Sequence, residues 1–566
     1  MTDQASMQFG WIDTVVFVAY LIGIIAVGLW HSRNVRKTGD FFAGGRRFNK
    51  FLMVMHALGT GTHADDPVGV VGASFQRGIS GIWYSFVYLF VTPFYWIIAP
   101  LFRRTRYLTT ADLFDARYGR GLGLLYAVMG ILYFAINMGT MLKGTGFIAV
   151  AITHGRLPEW LAISGMTLVF LAYGAAGGLV STVVIESIQG VLIVVMSLLL
   201  VPFALAKVGG FEALHASLEP SFFSLSTPHE LTLMWIVGAC IASLIGIVSQ
   251  PHTMEICATG KTEMEGRVGF TYGNFTKRIC AIGWAFTGLL MAALVAQGAI
   301  PGMNHREEAF GTAILYLLPV GFTGLMVVAI LAAQMSTLSA FMVAGSALVS
   351  RNLYQRYLHP GASDQALMKV ARISGLAIVL LAVAFSLIVP GVTDALAVMW
   401  QITTLTGLLV WAAFLWRRAT ALGAWLAFGV MAPIWLVLGP FGKFLHDKAG
   451  LQTISWLGML GDKTQMHWLL LSYLPLGLLT LVAASLLSRQ HDQRSVDQFY
   501  TLLRTPVGRE PELVEQGIPV VYAGSSEGHP WELNHPKLVQ IGGFLLALAV
   551  SGLFLAVLWW LVRIGA

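Results

Sequence analysis

Charge and cysteine are both scarce in this sequence. Only 11% of its 566 residues are charged, whereas soluble globular proteins carry about 25%. The three cysteines, Cys240, Cys257 and Cys280, lie in or beside apolar segments without CxxC spacing. This scarcity argues against a soluble domain, a disulfide framework and a zinc site.

Short signatures of enzymatic chemistry are missing as well. The sequence contains no P-loop, HExxH or protein-kinase pattern, so direct coupling to ATP hydrolysis is not indicated. The net charge of +7 comes from short basic segments between apolar runs, which argues against nucleic acid as a partner. We predict that the protein is not an enzyme and uses no organic cofactor.

Long hydrophobic runs are what the sequence has in abundance. Hydrophobic residues make up 56% of the chain, the mean hydropathy is +0.72, and apolar runs long enough to cross a bilayer recur from end to end. Continuous rather than alternating runs favour helices over a β-barrel. We predict an all-α integral membrane protein with about 14 transmembrane helices, embedded in the lipid of the inner or plasma membrane.

Loop charge predicts the orientation, because basic loops remain in the cytoplasm. Basic residues gather in segments 31–50 and 103–120, and in the strings RVGFTYGNFTKR (267–278), RNLYQRY (351–357) and WRR (416–418). Alternate loops, such as 208–230, carry almost none. We therefore expect both chain termini to lie outside.

The predicted spans divide the chain into six parts. They are an extra span with a basic loop (1–49), a first five-helix repeat (50–206), a second repeat (231–416), additional spans (417–488), a polar cytoplasmic linker (489–538) and a last span (539–566).

Two of the predicted spans are interrupted. The second span contains HALGTGTHADDPVGVVGASF (56–75), with two adjacent carboxylates, a proline and four glycines, and the seventh ends in GACIASLIGIVSQPH (238–252). Because five is odd, segments five spans apart are inserted in opposite directions. Paired broken helices of this kind are typical of inverted-repeat transporters with a site at the membrane midplane.

Four strings resemble the sodium:solute symporter family, over about residues 10–440. They are GDFFAGGRR (39–47), TTADLFDARYG (109–119), AYGAAGGLVSTVVIESIQG (172–190) and LAAQMSTLSAFMVAGSALVSRNLYQRY (331–357). The resemblance implies the leucine-transporter fold, in which two inverted five-helix repeats are preceded by one helix and followed by others. It also implies sodium as the coupling ion.

The string around residue 335 predicts a sodium site. Sodium is a hard cation that prefers oxygen ligands, and Ala333, Ser336 and Thr337 share one helical face at spacings of three and four. The resemblance adds Gly59 and Thr62 as further ligands. The alternative is that the two hydroxyls bond only to their own helix.

The break in the second span supplies candidates for solute contacts. Ionisable groups at membrane depth usually mark a site, and His63 and Asp66 lie along the break beside Gly61. Some family members carry Asp or Asn where Gly61 stands, so the resemblance does not extend to proline or sugar specificity. We expect Asp65 or Asp66 to cap the following helix ahead of Pro67, with a buried ion pair as the alternative.

Lys143 is a second intramembrane charge. It either forms an ion pair with one of the two adjacent aspartates or receives a carboxylate of the solute.

Five other polar or aromatic residues complete the candidate set. The resemblance places Trp400 and Gln401 at an outer gate or solute contact, with packing as the alternative. It places Glu186, which stands where the family usually has aspartate, on the inner exit of sodium. Gln250 and His252 end the seventh span and are candidates for a gate, a helix cap or a binding site.

The resulting hypothesis is a sodium-coupled secondary symporter that imports a small polar organic solute by alternating access. The charged candidates favour an amino acid or a carboxylate, and a sugar is less favoured. The alternatives are a transporter-like solute sensor and a channel-type leak pathway for sodium or solute.

Overall fold

Nearly all of the chain that the computed structural model describes is helical. The described residues are 9–32, 48–107, 109–174, 179–442, 465–489, 492–518 and 536–566. Within them, extended pairing is limited to one isolated β-bridge between Phe48 and Gly260. The prediction of an all-α fold is confirmed.

The first half of the chain begins with one extra helix, which the first repeat follows. The helices are α1 (Trp11–Ser32), α2 (Lys50–Thr60), α3 (Asp65–Arg77), α4 (Trp83–Phe86), α5 (Thr92–Thr105), α6 (Thr110–Tyr118), α7 (Arg120–Ile152), α8 (Glu159–Gly174) and α9 (Leu179–Val208). The third predicted span, residues 81–102, is not continuous, since α4 and α5 are separate helices. Pro93, at the start of α5, favours a helix start because it has no N–H to donate.

The second repeat follows a short helix, α10 (Phe211–Ser217). Its helices are α11 (Leu233–Ile247), α12 (Pro251–Ala258), α13 (Glu263–Ala296), α14 (Ala309–Leu317), α15 (Phe322–Ala347), α16 (Asp364–Ile388) and α17 (Val392–Leu415). Helix α15 continues as a π-helical segment, Leu348–Leu358. Short 3₁₀ turns lie at Gly78–Ile82, Pro220–Phe223 and Arg306–Glu308.

The remaining helices surround the two repeats. They are α18 (Ala421–Leu438), α19 (Met466–Leu487), α20 (Gln493–Arg504), α21 (Glu510–Glu515) and α22 (Pro536–Leu561). Helices α20 and α21 lie in the segment that the sequence analysis describes as a linker. Its described part is therefore folded and packs on the body of the protein.

Nine helices in the described residues are long and apolar enough to cross a membrane. A tenth span is the bent pair α11 and α12, whose axes differ by 64°. The count of 14 stays a prediction.

Helix α13 lies at the centre of the molecule, against α2, α3, α5 and α9. Glycines allow this close packing, as they do in many membrane helix pairs. A Cβ atom on Gly269 would lie 2.4 Å from the Cβ of Met53, and one on Gly273 would lie 2.7 Å from the carbonyl of Val54. The broken second span is thereby held against the middle of α13.

Candidate functional site

The second span is broken where its glycines and aspartates predict. Helix α2 ends at Thr60 and α3 begins at Asp65. Carbonyl groups in the last turn of a helix have no intrahelical partner. The break therefore leaves main-chain oxygen atoms available inside the protein.

The residues predicted to bind sodium lie together across this break. Thr337 Oγ1 on α15 is 3.5 Å from the Gly59 carbonyl oxygen. Ser336 Oγ and Thr337 Oγ1 lie 2.8 Å and 3.3 Å from the carbonyl oxygen of Ala333. The N–H of Thr62 donates to the Gly59 carbonyl at 3.3 Å. The end of α2 and one face of α15 thus bring together carbonyl and hydroxyl oxygens, the ligands that sodium prefers.

The hydrogen bonds of these hydroxyls bear on whether they can bind sodium or bond only to their own helix. Ser336 and Thr337 do donate to their own helix, as the alternative predicts, but a donating hydroxyl keeps lone pairs for a cation. The Thr62 hydroxyl is buried and has no partner among the described residues. Because an unpaired buried polar group is costly, this hydroxyl favours a site that accepts a ligand.

Glu186 on α9 lies directly beside Gly59. Its carboxylate accepts a hydrogen bond from His56 Nδ1 at 2.7 Å and another from the Thr60 hydroxyl at 3.4 Å. A Cβ atom on Gly59 would lie 2.8 Å from the Cβ of Glu186, so glycine is required here by space. Glu186 is among the residues predicted from the sequence, whereas its partner His56 is not.

A central cavity of about 90 Å³ lies between the two broken spans. Its lining combines charged, amide and aromatic side chains, among them Gly61, His63, Asp65, Asp66, Tyr84, Tyr88, Tyr133, Asn137, Gln250, His252, Asn274, Lys277, Arg278, Phe341 and Trp400. Three of the residues predicted to contact solute at the break, Gly61, His63 and Asp66, therefore do lie at one cavity.

Lys277 and Arg278 are cavity residues that the sequence analysis misses. The loop-charge pattern places residues 267–278 in a basic loop, but they form part of the buried helix α13. Lys277 Nζ is 2.8 Å from Asp66 Oδ2 and also donates to the Gly61 carbonyl. The missed signal is two adjacent cations inside an apolar run, where ionisable groups usually mark a site.

The prediction that an aspartate caps α3 is wrong. The N-cap residue is Ala64, and no side chain bonds at that position. Asp66 instead accepts a hydrogen bond from the backbone N–H of His63 at 3.3 Å, while Asp65 lies 3.4 Å from His63 Nδ1. Donor atoms of His63, Asp65 and Asp66 lie within 4.8 Å of one another, as a metal site requires. The ammonium group of Lys277 already supplies a cation there.

Lys143 and Gln401 lie elsewhere than the sequence analysis expects. Lys143 pairs with Glu159 at 2.7 Å rather than with either aspartate, because α7 directs it towards the start of α8. Gln401 Oε1 accepts a hydrogen bond from Trp435 on α18 at 3.1 Å. Neither of them lines the central cavity.

Three other candidates lie at the cavity itself. Gln250 and His252 flank the break in the seventh span, and His252 Nδ1 is 3.2 Å from the hydroxyl of Tyr133. Trp400 donates to the hydroxyl of Tyr88 at 2.9 Å. The residues considered for a gate and those considered for solute contact therefore line the same cavity.

The sequence matches the family model described as "Sodium:solute symporter family" over residues 41–430, more than half of the chain. The chain belongs to this family. Members of this family are sodium-coupled symporters rather than enzymes, so sodium is the coupling ion and the membrane is the site of action.

Relatives and a solved structure agree with this assignment. The chain is 25% identical over 472 residues to a sodium/glucose cotransporter of Vibrio parahaemolyticus, which covers 77% of this chain and 85% of the relative. It is 26% identical to sodium/myo-inositol cotransporter 2 of Oryctolagus cuniculus, covering 67% of this chain and 61% of that longer protein. A substrate-bound, outward-open sodium-coupled sialic acid symporter has the same fold, with a TM-score of 0.66 at 16% identity, covering 86% of this chain and 100% of that one.

Proposed function

We propose that the chain imports a small zwitterionic or anionic organic solute together with sodium, by alternating access. Sodium binds between the end of α2 and the 333–337 turn of α15, and the solute binds in the adjoining central cavity. The observation that carries the proposal is the approach of Thr337 Oγ1 to the Gly59 carbonyl across the break. The buried Thr62 hydroxyl, which has no partner in the described part of the chain, supports it.

The ligand set suits an ion that must be released. Gly59, Thr62, Ala333, Ser336 and Thr337 offer neutral oxygens, so attraction to sodium comes from dipoles rather than from a bound carboxylate. Each sodium ion that enters gains about 2.3 kcal/mol per 100 mV of membrane potential, in addition to its concentration gradient. Ion binding joins the two repeats across the break and thereby assembles the solute cavity.

The charges around the cavity favour a zwitterion or a small carboxylate. Asp66 and Lys277 form an ion pair whose side chains are each 14% exposed, so both groups remain accessible from the cavity. The carboxylate of an amino acid can replace Asp66 on Lys277, and its ammonium group can replace Lys277 on Asp66, with no buried charge left unpaired. A neutral sugar has no charged group that could take part in this exchange.

Removal of the two hydroxyls of α15 tests the sodium site. In proteoliposomes we expect the Ser336→Ala/Thr337→Ala variant to need tenfold or more sodium for half-maximal uptake, which corresponds to about 1.4 kcal/mol. Ser346→Ala is the matched control, because this hydroxyl lies on the same helix and bonds only to Val343. If the double variant needs no more sodium than the parent, the proposed sodium site is wrong. If uptake by the parent protein does not depend on the sodium gradient, the proposed symport function is wrong.

A further inference from the structure

The segment 492–518, which we call the C-terminal strap, is an amphipathic element folded against one face of the protein. Its helix α20 buries Val496, Phe499, Tyr500 and Leu503, whose spacing of i, i+3, i+4 and i+7 forms one helical stripe. The Phe499 ring stacks on Phe414 of α17 at a centroid distance of 6.5 Å. The strap is therefore held by burial of apolar side chains and does not hang free as a linker.

Buried charges fasten the strap to the ends of α5 and α13. Arg104 forms a bidentate ion pair with Glu263 at 2.8 Å, and Glu263 also accepts a hydrogen bond from the backbone N–H of Val507 at 3.0 Å. Arg106 pairs with Glu510 at 3.0 Å and donates to the Pro506 carbonyl, also at 3.0 Å. Burial lowers the pKa of the Arg106 guanidinium, and Glu510 opposes this shift. Glu510 thus balances the positive charge of Arg106, which the strap covers.

The opposite side of the strap is fastened to the end of α17. The Tyr500 hydroxyl donates to the Ala413 carbonyl at 2.8 Å. Asp497 pairs with Arg417, and the guanidinium of Arg117 lies 5.6 Å from the centroid of the Tyr500 ring. The strap therefore spans from the end of α5 in the first repeat to the end of α17 in the second.

The helix α12, which follows the break in the seventh span, packs against α5 and α13, the two helices whose ends the strap joins. Its residue Cys257 is fully buried. The position of a Cβ on Gly266 of α13 is 3.1 Å from the Cys257 carbonyl and 3.8 Å from the Cβ of Ala99 of α5. A path from the cavity along α12 to this face would therefore have to separate helices that the strap ties together.

We propose that the C-terminal strap is a latch that holds the cavity closed towards the face that carries it. Opening to this face requires the anchors at Arg106–Glu510 and Arg417–Asp497 to release, so the strap sets how often the inward-open state forms. The latch rests on the alternating access proposed above, but the closure itself can be measured without sodium or solute.

Alkylation of Cys257 tests the latch in the full-length protein. Cys240 and Cys280 are replaced by alanine, and a membrane-impermeant maleimide is applied to the strap face in inside-out vesicles. We expect Glu510→Gln to accelerate alkylation fivefold or more. Glu512→Gln is the matched control, since this exposed carboxylate on the same helix pairs only with Arg509. An unchanged rate in Glu510→Gln overturns the proposal.

A reversible cross-link provides the opposite test. Cysteines at positions 417 and 497 are joined by a bifunctional thiosulfonate, which holds the strap in place. We expect alkylation of Cys257 and solute uptake to fall together and to recover after reduction. Uptake at the parental rate with the strap cross-linked also overturns the latch. If Cys257 responds as expected while uptake shows no sodium dependence, the latch stands and the sodium-coupled function fails.

Discussion

At the scale of single residues, the cavity depends on a cation that lies inside a span. Lys277 bonds both to the Gly61 carbonyl and to Asp66, so it fixes the broken second span against α13. The sequence identifies one side of this contact, because glycines, aspartates and a proline in an apolar run predict a break. It does not identify Lys277, since only the packing of α13 against α2 and α3 brings the ammonium group to the break.

The two intramembrane lysines allow a direct comparison at this scale. We expect Lys277→Met to weaken binding of a zwitterionic solute tenfold or more, because Asp66 loses its partner and the carboxylate of the solute loses its cation. Lys143→Met removes the same charge from a pair with Glu159 outside the cavity lining, so solute binding should change less than twofold. Thermal-shift titrations with a solute panel measure both affinities.

Two outcomes of this comparison are decisive. Equal losses in both lysine variants place solute recognition outside the central cavity. If Lys277→Met fails to fold, Lys277→Arg can be used instead, because it keeps the charge with a different geometry. An unaltered solute affinity in Lys277→Arg would show that the ammonium group has no specific role in solute binding.

At the scale of elements, the helix that carries Ser336 and Thr337 is positioned by a residue far away in the sequence. Asp13 of α1 is 1% exposed. Its carboxylate accepts hydrogen bonds from the N–H groups of Gly321 and Gly324 at 2.7 Å and 2.8 Å, at the start of α15. A carboxylate at a helix N-terminus both accepts unpaired N–H groups and complements the helix dipole. The extra first helix therefore fixes the start of α15.

Loss of this cap should destabilise the protein. We expect Asp13→Ala to cost about 1–2 kcal/mol and to lower the apparent melting temperature in detergent, with Asp13→Asn intermediate. The control is Ser363→Ala, which removes the exposed N-cap of α16, where the hydroxyl accepts from Ala366 at 3.3 Å. If the melting temperature falls no more in Asp13→Ala than in Ser363→Ala, then α1 does not stabilise α15.

At the scale of the whole molecule, the start of α1 and the end of α22 lie at the face opposite the C-terminal strap. The start of α1 bonds to Gly321 and Gly324, and Gly565 packs against Phe211. Lys207, in the last turn of α9, donates to the carbonyl of Tyr316 in the last turn of α14, so the ends of these two helices share that face. Which side of the membrane this face occupies stays a prediction, with both termini expected outside.

Labelling in intact cells tests this orientation. In a background without the three native cysteines, single cysteines are placed at Thr2, Ala566 and the exposed Glu512 of the strap. We expect an impermeant maleimide to label positions 2 and 566 in intact cells, and position 512 only after permeabilisation. Labelling of position 512 in intact cells would show that the orientation is the reverse of the predicted one.

The sequence by itself determined the helical membrane fold, the family and the two broken spans. These follow from local features, namely the length of apolar runs, the glycines and proline within them, and the spacing of Ala333, Ser336 and Thr337. The tertiary structure decided the partners of the charges. Asp66 bonds to Lys277, Lys143 to Glu159, Glu186 to His56 and Glu510 to Arg106. Partner choice depends on which helices pack together across the chain, and neither composition nor spacing within a single helix contains that information.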